Sequence, residues 1–107
     1  MTGRRKGKGP EPLGSALRDF LEGAGLAERV EAASVVPEWA ERVGDAIAAV
    51  TTPLRVSGGT LFVAVRSSAW LMELKLMEGE ILGRLNAGRE RGKIRRIRFL
   101  MAGESGA

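Results

Sequence analysis

Residues 53 to 66 abandon the helical spacing that precedes them and alternate strictly. Leu54 and Val56 alternate with Pro53 and Arg55; after Gly58-Gly59, Leu61, Val63 and Val65 alternate with Phe62, Ala64 and Arg66. Period-two alternation is the signature of a strand, and a Gly-Gly pair supplies the positive φ that a two-residue hairpin turn demands. A hairpin with one apolar row must bury that row, so the helices of the chain belong on the face presented by Leu61, Val63 and Val65. The opposite row, Phe62, Ala64 and Arg66 with Arg55 beside it, then points away from them.

The flanking segments read as those helices. Leu13, Leu17, Phe20 and Leu21 share a helical face, with Arg18, Asp19 and Glu22 away from it, until Gly23 and Gly25 stop the run. Leu26, Val30 and Ala33 form a second apolar set leading to Val36-Pro37, and proline suits the first turn of a helix carrying Trp39, Val43, Ile47 and Val50. The pattern admits one kinked helix or two. After the hairpin, Ser67-Ser68 offers a cap, and Trp70, Leu71, Leu74, Met77, Ile81, Leu82 and Leu85 predict a long helix to Asn86. Ile94 to Met101 predicts a last strand, with Arg95, Ile97, Phe99 and Met101 on one face and Ile94, Arg96, Arg98 and Leu100 on the other. The order α-α-β-β-α-β describes an α+β domain over residues 13–102, a three-stranded sheet with helices on one face, preceded by a basic arm at 1–12 and followed by a frayed tail at 103–107.

The charge is unevenly distributed. Residues 1–9 carry four positive charges and no acid, residues 10–83 carry six basic and eleven acidic side chains, and residues 84–98 carry seven basic side chains against Glu90 alone. Basic residues inside a folding element have a fixed direction, and a polyanion is the natural counterpart of such a stretch. If Ile97 and Phe99 face the core, Arg96 and Arg98 join Arg55 and Arg66 around Phe62 on the outer sheet surface. Arg89, Arg91 and Lys93 in the preceding loop, and Arg4, Arg5, Lys6 and Lys8 in the arm, would add counterion-release affinity. With Phe62 the sole stacking candidate, phosphate contact should outweigh base reading, and specificity should be weak. The competing role for such arginines is to keep a sheet edge soluble.

On the long helix, Met72, Leu76, Gly79 and Gly83 form a second apolar stripe. It is either buried between the sheet and the N-terminal helices, the reading the residues lean towards, or it leaves Met72 and Leu76 exposed to a protein partner. Trp39 and Trp70 read as core residues, and Ser67 and Ser68 as caps.

The chain has no Cys, His or Tyr. That removes the usual zinc ligands, thiol chemistry and histidine acid-base catalysis, and the remaining acids lie on solvated helix faces, so neither an enzyme nor a cofactor site is expected. No run approaches the roughly 18 apolar residues of a spanning helix, which leads to the expectation of a soluble, cytoplasmic protein with no membrane contact.

The succession Trp39-Ala-Glu-Arg-Val43-Gly44-Asp-Ala-Ile47, Thr52-Pro53-Leu54, Gly59-Thr60-Leu61-Phe-Val63-Ala-Val65, Ser67-Ser68-Ala69-Trp70, Glu73-Leu74, Leu85-Asn86 and Ile94-Arg95-Arg96-Ile97-Arg98-Phe99 resembles the DciA family from about Leu13 to Met101. The resemblance implies a domain similar to KH domains and to the N-terminal domain of the initiator DnaA. It implies a bacterial, nucleoid-associated DNA replication accessory that assists loading or operation of the replicative helicase, with a DnaB-type helicase and single- or double-stranded DNA as partners. The chain departs from nucleic-acid-binding KH domains in lacking their Gly-x-x-Gly loop, so that clamp is not carried over. A KH-like RNA-binding module and a pure protein-interaction domain are the alternatives.

Overall fold

Strand β2, Thr60–Val65, lies at the centre of the molecule, and its burial follows the expected alternation: Leu61, Val63 and Val65 are fully buried while Phe62 and Ala64 are half-buried on the reverse. It is the middle strand of a three-stranded sheet in the order β1-β2-β3, antiparallel to β1 (Thr51–Ser57) and parallel to β3 (Arg96–Met101). A computed structural model describes residues 11–23 and 25–103. The expected arm, except for Glu11 and Pro12 at the start of the first helix, and the expected tail, except for Gly103, lie outside the described residues.

Gly58 and Gly59 both take positive φ, 57° and 83°, and join Ser57 to Thr60 in the two-residue turn that the sequence requires. The register of β1 departs from simple alternation. Pro53 pairs with Val63 and Arg55 with Phe62, so Leu54 is the extra residue of a β-bulge and is exposed, not buried as its spacing predicts. The bulge keeps Val56 on the core side and Arg55 on the open side.

Among the described residues six helices accompany the sheet: α1 (Glu11–Gly23), α2 (Leu26–Ala33), α3 (Val35–Val43), α4 (Asp45–Val50), α5 (Ser68–Leu76) and α6 (Glu78–Asn86). The segment from Leu26 to Val50 is thus neither one helix nor two but three, broken at Ser34 and at Gly44, whose φ of 94° no side-chain-bearing residue favours. The predicted long helix is also broken. Met77 (φ −94°, ψ 7°) shares its N–H between the carbonyls of Glu73 and Leu74 at 3.1 and 3.0 Å, and Ile81 N–H returns to the Met77 carbonyl at 2.9 Å. The bend lets Leu74 before it and Ile81 and Leu85 after it all reach the core.

The core gathers Val35, Trp39, Val43 and Ile47 from α3 and α4, the inner rows of β2 and β3, and Leu74, Ile81 and Leu85. Trp39 is sealed inside with its indole N–H donating to Thr51 Oγ1 at 2.9 Å, and the Thr51 hydroxyl donates on to the Ile47 carbonyl at 2.7 Å. The one polar atom of this indole is therefore satisfied in the interior. Ile94, expected beside Arg96 on the outer face, is buried, because β3 begins only at Arg96 and the preceding loop turns Ile94 inward. Asn86 holds it there in strand-like fashion: its Nδ2 donates to the Ile94 carbonyl and its Oδ1 accepts the Ile94 N–H, both at 2.8 Å.

Several apolar residues of the first two helices lie outside this core. Leu17 and Phe20 on α1 are 57% and 68% exposed, Leu26 and Val30 on α2 are exposed as well, and α2 turns Ala32 to the core instead.

Candidate nucleic-acid interface

Strand alternation dictates the outer face of the sheet. With Val56, Leu61, Val63, Ile97 and Phe99 turned towards the helices, the reverse carries Thr52, Arg55 and Ser57 from β1, Thr60, Phe62 and Ala64 from β2, and Arg96, Arg98 and Leu100 from β3. None of the three strands contains an acid. The register sets Arg55, Phe62 and Arg98 in one row across the sheet, and Thr60 and Arg96 in the next.

Phe62 anchors this surface. The Arg55 guanidinium lies over its ring with 4.2 Å from Cζ to the centroid, a cation–π contact that fixes both groups. On the other side of the ring, Thr60, Phe62, Arg96 and Arg98 line a shallow depression of about 470 Å³. Arg96 and Arg98 are exposed, and among the described residues neither forms an ion pair or side-chain hydrogen bond. Two guanidinium groups with unused donors beside an aromatic face suit a phosphate backbone with an adjacent base or sugar.

Arg66 stands at the end of β2 with most of its donors engaged. Its Nη1 donates to the Ala49 carbonyl at 3.1 Å and its Nη2 to Thr52 Oγ1 at 3.1 Å, so it ties α4 to β1 while remaining exposed at the margin.

The loop before β3 divides the expected cations differently. Arg89 is only 7% exposed in its side chain: Nε donates to the Leu85 carbonyl, Nη1 to the Glu31 carbonyl, and Nη2 to Ser34 Oγ and Glu38 Oε1, all between 2.8 and 3.1 Å. Its donors are saturated by α2, α3 and α6, so it serves the fold and not the outer surface. Gly92 locks the same loop, since a Cβ there would stand 2.6 Å from the backbone nitrogen of Ala32, and its N–H donates to Glu28 Oε2 at 3.3 Å. Arg91 and Lys93 are exposed between these fixed points.

Arg42, and Arg84 at the start of the basic stretch, serve the ends of helices. Arg42 Nη1 donates to the carbonyls of Arg84 and Ala87 at the end of α6, while Arg84 Nη1 donates to the Val43 carbonyl at the end of α3. Each guanidinium caps the partner helix's C-terminus, where unpaired carbonyls and the negative end of the dipole favour a cation. The available signal was a basic residue in the last turn of each helix.

Met72 and Leu76 are 71% and 85% exposed on α5, so the burial that the sequence leaned towards is overturned. Gly79 and Gly83 have open space where a Cβ would stand, so among the described residues they serve no close approach. Among the described residues no helix is long and apolar enough to cross a membrane.

A family model described as Dna[CI] antecedent, DciA, matches residues 12–99. The chain belongs to the DciA family. The match covers all of the sheet except its last two residues and all six helices except the first residue of α1. Among similar proteins, a UPF0232 protein of Mycobacterium ulcerans is 30% identical over 90 residues, covering 84% of this chain and 48% of the relative. UPF0232 proteins of Mycolicibacterium smegmatis and Mycobacterium tuberculosis are each 33% identical over 78 residues, covering 73% of this chain and 40% and 42% of the relatives. This DciA-family chain therefore spans less than half the length of these curated relatives.

Proposed function

We propose that this DciA-family domain is a non-enzymatic replication accessory that holds DNA without sequence preference on its outer sheet face and assists loading or operation of a DnaB-type replicative helicase. The observation that carries the DNA contact is the pair Arg96 and Arg98, unpaired and exposed beside Phe62 on a sheet whose strands contain no acid. Family membership supports the replication role in general terms. Arg55 and the margin of Arg66 extend the basic field around this pair. Arg91 and Lys93, which line depressions shared with Glu28 beside α2, and Arg89, whose donors the fold saturates, are left out of it. Met72 and Leu76, with large apolar side chains in solvent on α5, provide a surface for the helicase that does not overlap the sheet face. Two weak contacts of this kind on one small domain would raise the local concentration of helicase at DNA.

The test replaces Arg96 and Arg98 together by Ala and titrates labelled single-stranded DNA, duplex DNA and RNA by anisotropy at fixed salt. The expected result is a loss of roughly tenfold in DNA affinity with unchanged melting temperature. RNA outcompeting DNA at equal salt would replace this reading by an RNA-binding one. Capture of the helicase by a wild-type chain that binds no nucleic acid would leave only a protein-interaction role.

A further inference from the structure

The two edges of the sheet are treated differently. Edge strand β1 is blunted by Pro53 and by the bulge at Leu54, two devices that prevent another strand from pairing with it. Edge strand β3 has neither. Its inward hydrogen bonds come from alternate residues: Arg96 N–H donates to the Gly59 carbonyl and Ala102 N–H to the Val65 carbonyl. In a parallel ladder, residues two apart share a side, so the N–H and C=O groups of Ile97, Phe99 and Met101 all point outward. The first of these N–H groups is already met as a strand would meet it, by Glu78 Oε2 at 2.9 Å. For Phe99 and Met101 the outward side opens on a groove of about 610 Å³, walled by Ile97 to Met101 along β3 and by Leu71, Lys75 and Glu78 from α5 and α6.

From this we infer that the groove between β3 and α5 accepts an extended segment of a protein partner as a fourth strand, with apolar and acidic residues alternating along it. An edge beside a helix supplies main-chain pairing for affinity and two rows of side-chain contacts for selectivity. The row facing the helices meets Leu71 and the stem of Lys75, which suits apolar side chains with an acid at the Lys75 end. The row facing outward lies beside Arg98, which suits carboxylates. Lys75 and Arg98 form no ion pair among the described residues, so each rim offers a cation, while the one acid of the groove, Glu78, is engaged at the Ile97 end. Glu78, its carboxylate engaged by Ile97, sets where pairing can begin.

The probe is a capped heptapeptide of alternating valine and aspartate, titrated into the isotope-labelled full chain while amide exchange is followed. Phe99 and Met101 amides are expected to gain protection, whereas Arg98 and Leu100, already bonded to β2, change little. Two N-methylated versions, modified at one or the other set of alternate amides, separate main-chain pairing from charge attraction. One version is expected to bind like the parent, and the other to weaken by about threefold to tenfold for each pairing bond removed. Lys75→Glu is expected to weaken the peptide several-fold while leaving DNA affinity on the sheet face unchanged. Equal binding of both N-methylated peptides, or saturation without protection of Phe99 and Met101, overturns the inference. So does a DNA oligonucleotide that displaces the peptide and protects the same two amides.

Discussion

At the scale of single residues, the arginines of this chain divide by what their donors already hold. Arg89 is enclosed with four hydrogen-bond partners from α2, α3 and α6, whereas Lys93, three positions inside the same basic stretch from Arg96, is exposed. Charged hydrogen bonds of this kind contribute about 1.5–3 kcal/mol, so Arg89→Ala should lower unfolding stability by about 2 kcal/mol or more in denaturant melts. Arg89→Lys should recover little of it, because an ammonium cannot span the guanidinium's fork of acceptors. Lys93→Ala should stay within about 0.5 kcal/mol of wild type. Sequence spacing could not make this division: Arg89 and Lys93 both read as cations of one loop, and what encloses Arg89 is the placement of Glu31, Ser34 and Glu38 more than fifty positions away. Gly92 gives a parallel contrast with Gly88. Both have positive φ, but only at Gly92 would a methyl group strike backbone, at Ala32. Gly88→Ala should cost about 1 kcal/mol for its backbone conformation, and Gly92→Ala distinctly more, by the same melts.

At the scale of elements, the strands were far more legible than the helices. The hairpin, its Gly58-Gly59 turn and the outward direction of Arg55, Phe62, Arg96 and Arg98 follow from period-two alternation, because one buried face leaves a strand a single register. Leu54 and Ile94 escaped that logic for local reasons, a bulge at one and a strand that starts two residues later at the other. The helix breaks at Gly44 and Met77 escaped it because apolar spacing continues across them; what breaks the helices is the need to wrap one small core, together with the left-handed Gly44 and the Ile97 N–H met by Glu78. That last contact joins α6 to the edge of β3. Glu78→Ala leaves the Ile97 amide without its partner, and its exchange should quicken by about tenfold relative to Leu100, whose N–H is held within the sheet.

At the scale of the whole molecule, fold and charge are arranged on opposite sides. The acids cluster on the helices, where Glu38 and Glu80 pair with Arg42, Arg84 and Arg89, and the outer sheet face has cations and no acid. This segregation was visible in the sequence as a basic stretch following an acidic one; its consequence for DNA depends on Arg96 and Arg98 standing unpaired beside Phe62. The most direct test is the slope of log affinity against log salt for duplex DNA, measured for the wild type and for the folded chain with Arg96→Ala and Arg98→Ala together. Loss of two phosphate contacts should make the slope shallower by about 1.8, at about 0.9 for each contact removed. A double variant that melts like wild type and keeps its slope would contradict the assignment of DNA to this face.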